Sequence, residues 1–346
     1  MSVSAIQRQG SGMMSENAAE KSVTIRQGAR IFYRAWSHNR PTGGQKQMYR
    51  HVDILNSAGF EAYIFHHEDG FRVSWFDNDT HVVGLTAFKS LYRSSDILVL
   101  PEDLGQALQS FRGPKVIFNQ NIYYGYMALG EASLEQYPYQ DPELLGIIAV
   151  SSHNRDNLAY AFPEARVLRV QYGIDLDRFR PVAVANKSPV IATIMKEGSA
   201  PELQALFHML SARAQRNESP LQGFEWAFIK NNTEAEVAAL LGRAVLFIFL
   251  SDLEGLPLLP LEAMAAGCIV ATFDAGPLRE FVPKDCRFRR GDLVSLARWI
   301  EAVAASRAFG YAPFEELVSQ SRAVAGRFNL ESERDSVVSV WRELLS

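Results

Sequence analysis

The chain has 346 residues, 47% hydrophobic and 21% charged, enough for about two domains with separate cores. A net charge of -4 gives no basis for a dominant nucleic-acid surface, so no nucleic-acid partner is expected. Cys268 and Cys286 are too few for a disulfide framework and fit reduced, cytosolic thiols; no apolar run reaches the ~18 residues of a membrane span.

Residues 1–27 are polar, lack the apolar core of a signal peptide, and read as a disordered leader. Regular patterning then begins. A strand over 31–36 leads through a loop at 37–44 into a helix with Met48, Val52, Leu55 and Ala58 on one face. Gly59 ends that helix and a second strand follows over 62–65, giving a βαβ unit. Further buried strands are expected at 97–100, 116–118, 147–150 and 167–170, with a helix at 154–160. Short apolar strands alternating with helices imply a parallel sheet covered on both faces.

A glycine- and proline-bounded connector over 172–181 separates this first domain, 28–172, from a second at 173–328. There the alternation restarts, with strands at 190–195, 226–229, 245–250 and 269–273 and helices at 201–214, 293–305 and 314–327. Thr233 and Glu236 form a capping box for another helix. A last helix spans about 331–345.

The stretch 254–266 carries the most chemistry. Glu254 and Gly255 follow a strong apolar strand, a helix is expected to start at Pro257, and Glu262 lies eight residues beyond Glu254. Such a helix end can hold an anion on exposed amides, with a carboxylate on either side. In open α/β sheets ligands bind beyond the carboxyl ends of strands, which is where Glu254 falls. A phosphate flanked by hydroxyl groups fits, as in a nucleotide-sugar.

The run EGLPLLPLEAMAAGCIVATFDAGPLREFV, residues 254–282, closely resembles the donor-site segment of retaining family-4-type (group 1) glycosyltransferases of the GT-B fold. Four segments in the family's order support it: GGQKQMYRHVDILNSAGFEA from Gly43, AVSSHNRDNLAYAF from Ala149, YGIDLDRFRP from Tyr172 and FNLESERDSVVSVWREL from Phe328. The resemblance spans about residues 29–346. It implies two Rossmann-like doubly wound domains facing a central cleft, with residues 329–346 crossing back to the first domain. It also implies a nucleotide-diphosphate sugar as co-substrate, no cofactor and no metal, and a glycan, lipid-linked or small-molecule hydroxyl acceptor.

By position, the resemblance has Glu262 accept hydrogen bonds from ribose hydroxyls, Glu254 face the transferred sugar, and amides around Leu256, Pro257 and Leu258 hold the diphosphate. Gly255 belongs to the same loop, and Gly43 and Gly44 let the first-domain backbone approach the phosphates. The family commonly supplies an arginine and a lysine after the second domain's first strand. Here ATIMKEGSAPE offers Lys196 alone as the catalytic cation: either Lys196 and a helix end suffice, or Arg279 or Lys230 substitutes, or the activity is weakened. Where the family often carries a histidine near the reacting sugar, this chain has Asn119, Gln120 and Asn121. A polar loop facing the acceptor and a helix-capping turn both fit. His38 is a further acceptor-side candidate.

Other motifs weigh less. Asp77-Asn78-Asp79 and Asp175-Leu176-Asp177 read as turns, residues 66–69 as a strand-end loop, and the arginines at 287, 289 and 290 as a solvated cluster. The expected activity is sugar transfer in polysaccharide or glycoconjugate assembly, in the cytoplasm or peripherally at the inner membrane face. A GT-B nucleotide-sugar epimerase and a non-catalytic binding partner of a glycan-assembly complex remain as alternatives.

Overall fold

The computed structural model describes residues 28–131, 133, 137–195, 200–216 and 219–346. The leader and Lys196 lie outside the described residues.

The first domain is a seven-stranded parallel sheet, ordered β3-β2-β1-β4-β5-β6-β7. Its strands are β1 (Ile31–Ala35), β2 (Ala62–His66), β3 (Val82–Val83), β4 (Ile97–Pro101), β5 (Lys115–Asn119), β6 (Leu144–Ala149) and β7 (Val167–Arg169). The central strands β4 and β5 are buried throughout, as expected for apolar runs covered on both faces. Helix α1 (Gly43–Ser57) joins β1 to β2 and buries Met48, Val52 and Leu55. Gly59, at φ 86°, takes the left-handed conformation just past its end. Helices α2 (Leu85–Leu91), α3 (Ile122–Leu129) and α4 (Ser152–Ala161) complete the domain. Strand β3 and helix α2 were not legible: β3 is two residues long, and α2 is a seven-residue helix whose core contacts, Leu85 and Phe88, are only partly buried.

The second sheet has five parallel strands, ordered β12-β11-β10-β8-β9. These are β8 (Ser188–Ile194), β9 (Glu225–Ile229), β10 (Ala244–Phe249), β11 (Ile269–Phe273) and β12 (Arg287–Phe288). Helices α5 (Ala200–Gln215), α6 (Glu234–Arg243), α7 (Leu258–Ala265), α8 (Leu293–Ala305) and α9 (Glu315–Ala325) flank it. The capping box at Thr233 is complete, its hydroxyl accepting from the Glu236 amide and the Glu236 carboxylate accepting from the Thr233 amide.

Helix α10 (Leu330–Leu345) returns to the first domain and packs on α1, β6 and β7. Trp341 Nε1 donates to the Tyr33 hydroxyl at 2.9 Å, and Tyr33 in turn meets His51 Nδ1 at 3.2 Å. Arg50 pairs with the buried Glu333 carboxylate and donates to the Gly173 carbonyl at 3.1 Å. The connector and the start of α10 are tied by a parallel bridge between Ile174 and Asn329. The carboxyl ends of β5 and β10 meet at a seam, where Asn121 from the turn after β5 reaches the Leu253 carbonyl in the loop after β10.

Candidate active site

On the second-domain side of the seam, β10 ends in a loop where the Ser251 hydroxyl donates to Glu254 Oε1 at 2.7 Å. Gly255, Leu256 and Pro257 are buried. The helix begins one residue later than the sequence implies: Pro257 is the N-cap, extended at φ -75° and ψ 122°. Pro257 and Pro260 carry no N–H, so the exposed donors reduce to Leu256 before the cap and Leu258 and Leu259 in the first turn. No side chain caps that turn.

Glu262 lies partly buried on α7. Burial pushes its carboxyl up to about 8, Glu234 adds to the rise, and Lys46, Arg50 and Arg178 oppose it. Thus first-domain, connector and second-domain charges all bear on one carboxyl. Glu234 stands at the start of α6. Just before that helix, Asn231 holds a left-handed φ of 56°, a conformation that asparagine adopts readily.

The opposing wall is the start of α1 and the turn after β5. Gly43 and Gly44 are the first residues of α1, not a tight turn. A Cβ on Gly43 would meet nothing within 4 Å, whereas one on Gly44 would stand 2.8 Å from Gln120 Oε1. On the other side of Gln120, a Cβ on Gly255 would fall 1.6 Å from its carbonyl oxygen. Gln120 is therefore wedged between the start of α1 and the Gly255 loop.

Two buried groups hold this turn. The Tyr172 hydroxyl donates to Gln120 Oε1 at 2.9 Å, so the carboxamide keeps its NH2 end for other partners. Glu102, at the end of β4, accepts from the Asn121 amide at 2.6 Å. Burial raises its carboxyl to about 8, an effect relieved by the amides of Glu102, Gln120 and Asn121.

Asn119 and Asn121 need correcting as acceptor-facing groups. Asn119 is fully buried and accepts from Asn154 Nδ2 at 3.1 Å, a bond inside the first domain. Asn121 caps α3, accepting from the Tyr123 amide, while its Nδ2 donates across the seam to the Leu253 carbonyl at 3.0 Å. The turn is thus a helix cap, and Gln120 is its member that faces the cleft. His38 is exposed on the β1–α1 loop. Lys230 is exposed at the end of β9, its amide donating to Asn232 Oδ1 at 2.8 Å. Arg279 is tied to Asp274 at 2.9 Å.

Glu102, Tyr172, Lys46 and Glu234 were missed as site residues by sequence reasoning. Lys46 Nζ lies 2.7 Å from Glu234 Oε1, and Arg178 pairs with the same carboxylate. Lys46 had one readable signal, its place in the first turn of the helix behind the glycine pair. The remaining motifs behave as turns and surface pairs. Asp175 accepts from the amides of Asp177 and Arg178, Asp69 binds Thr86, and Arg287 and Arg290 pair with Asp274, Glu202 and Asp252. His66 is buried against the Tyr49 hydroxyl at 2.7 Å.

The family model described as "Glycosyl transferases group 1" matches residues 224–287, the segment from β9 through the donor loop to β12. The alpha-1,6-glucosyltransferase of Actinobacillus pleuropneumoniae serotype 7 (strain AP76) is 29% identical over 252 residues, 68% of this chain and 70% of the relative. Over this segment the chain is similar to group 1 glycosyltransferases, and its fold is that of the GT-B glycosyltransferases. Sucrose-phosphate synthase from Thermosynechococcus elongatus superposes with a TM-score of 0.65 at 15% identity, over 91% of this chain and 99% of that one. Anabaena HepE in complex with UDP-glucose gives 0.64 at 13% identity, with coverages of 91% and 99%. TarM gives 0.66 at 8% identity, over 92% and 99%. The family match coincides with the half of the seam that carries Glu254 and Glu262.

Proposed function

We propose that this chain is a glycosyltransferase that binds a nucleotide-diphosphate sugar between α7 and α1 and moves the sugar to a hydroxyl acceptor with retention, without a metal. The observation carrying this is the convergence on Gln120 of two uncapped helix starts, one opening with Gly43 and Gly44 and the other preceded by Gly255, at the carboxyl ends of two parallel sheets. Glu262 accepts from the ribose hydroxyls, the amides of Leu256 and Leu258 meet the diphosphate, and Glu254 faces the sugar. Gly43 and Gly44 leave room for the phosphates from the first-domain side.

The carboxamide of Gln120 supplies two N–H donors to the same space. Closure of the seam excludes water that would otherwise hydrolyse the donor. Retention and the absence of a metal follow from the family resemblance. HepE in complex with UDP-glucose makes UDP-glucose the first donor to try. A role in polysaccharide assembly, in the cytoplasm or at its membrane face, fits the family. Among the described residues no helix is long and apolar enough to cross a membrane.

Thermal-shift measurements against UDP-, GDP-, ADP- and dTDP-linked sugars, followed by calorimetry, test the reading. Glu262→Ala should weaken nucleoside-diphosphate binding by about tenfold, the size of one or two lost hydrogen bonds. Glu254→Ala should leave that affinity within about twofold and slow transfer instead. Unchanged affinity in Glu262→Ala sinks the assignment. A donor isomerised without acceptor would mark an epimerase instead.

A further inference from the structure

We propose that Lys46, on the first-domain helix α1, is a cation that meets the donor's diphosphate from across the cleft, and that Glu234 holds it there while no donor is bound. The proposal rests on the donor site described above.

Departure of a diphosphate from a sugar builds negative charge, which a site must meet with fixed cations. Most described cations along the seam are committed elsewhere. Arg50 serves Glu333 and the Gly173 carbonyl, Arg178 divides between Asp175 and Glu234, and Arg279 lies on Asp274. Lys46 is placed differently. It sits in the first turn of α1 directly behind Gly43 and Gly44, and its stem leaves the first domain to reach a carboxylate of the second, 188 residues away.

Beside that pair is the Phe76 ring, whose centroid is 5.9 Å from Nζ, and the Lys46 charge reaches the Glu262 carboxyl. The ammonium therefore lies within electrostatic range of the carboxyl assigned to the ribose. The phosphates of a donor bound there must lie between Glu262 and the start of α1.

The pair is built to be exchanged. Its side chains are 23% and 32% exposed, and partly exposed pairs between long side chains are weak. A multiply charged diphosphate outcompetes one carboxylate for a flexible ammonium, and Glu234 keeps Arg178 as partner when Lys46 leaves. Glu234 thus orders the lysine stem and shields two cations in the empty site.

The test is calorimetry with UDP and uridine on the full chain, with the GDP/guanosine and ADP/adenosine pairs run in parallel. Lys46→Met should weaken diphosphate binding by about tenfold or more while leaving the nucleoside within about twofold. Lys46→Arg should recover most of the loss. Glu234→Gln should tighten the diphosphate, because its competitor is gone. The salt dependence of wild-type diphosphate binding should be steeper than that of Lys46→Met.

Equal loss of nucleoside and diphosphate in Lys46→Met would make the residue a packing element, and unchanged diphosphate affinity would remove it from the site. Either result overturns the proposal while the donor site stands, provided that Glu262→Ala weakens both ligands. Wild-type protein that binds none of the nucleoside diphosphates overturns both.

Discussion

At the floor of the cleft the Gln120 side chain has one fixed orientation. Burial keeps the Tyr172 phenol protonated, so it donates to Gln120 Oε1 and the NH2 end is left for a ligand. An ordered neutral donor of this kind stabilises developing negative charge without the cost of reorienting during the reaction. Gln120→Leu should lower kcat/KM for the best donor by about tenfold to a hundredfold with the fold intact, measured by initial rates and circular dichroism. Gln120→Glu should be worse, because a carboxylate there repels the phosphates. A leucine variant with wild-type kcat/KM would exclude the carboxamide from the site. Sequence reasoning had the right tripeptide and took the flanking asparagines from it. Asn119 and Asn121 are the more turn-like residues, but Asn119 is buried inward against Asn154 and Asn121 is taken by the cap of α3. Which of three adjacent polar side chains faces a cleft is decided by what packs behind them, here Glu102 and Tyr172, 18 and 52 residues from Gln120.

Among the elements, α7 and its loop were the most legible, because strand, glycine, proline and both glutamates lie on one local segment and need no distant partner to be read. The requirement at Gly255 was not legible in the same way. It comes from the Gln120 carbonyl, which leaves no room for a methyl group. Gly255→Ala should leave both domain cores folded, since β10 and α7 pack independently of that contact, while forcing the donor loop off the β5–α3 turn. The expected cost is about 1–3 kcal/mol of stability, with donor affinity falling and the radius of gyration rising slightly. Calorimetric binding and small-angle scattering read both effects; wild-type affinity in the alanine variant would show the loop to be more pliant than its packing implies. The surface elements β3, α2 and β12 escaped the sequence for the opposite reason. They are short and weakly buried, so no periodicity marks them.

The whole molecule carries a charge signature at its seam. Glu102 and Glu262 are raised to about 8 and Glu333 to about 7, in each case first by burial. A carboxyl whose folded pKa lies above its unfolded one adds stability that is complete below the unfolded value and is lost as pH rises through the folded value. His51 and His66 are depressed to about 3 and about 4 by burial and act in the other direction, destabilising the fold only as pH falls below their ordinary range. Donor-free protein should therefore lose stability from about pH 5 to about pH 8, most steeply above about pH 6.5 where the histidines no longer offset the carboxyls, and level off beyond, each carboxyl contributing at most about 1.4 kcal/mol per pH unit. Glu102→Gln, which keeps the acceptor for the Asn121 amide, should flatten that fall in denaturant midpoints. An unchanged slope would mean that Glu102 does not titrate in this range.

Helix α10 sets an order on how such a chain can be made. Trp341 closes over Tyr33 from 308 residues further along, and Val337, Val340 and Leu344 belong to the same core as β1 and α1. A ribosome delivers β1 and α1 long before α10 exists. During that interval the first domain carries an open apolar face that its own later residues are meant to cover, a liability typical of contacts so distant in sequence. The second domain has to be synthesised in between, so the last helix locks the first domain only after the donor half is complete. Any factor that shields the nascent first domain has to leave before that helix docks.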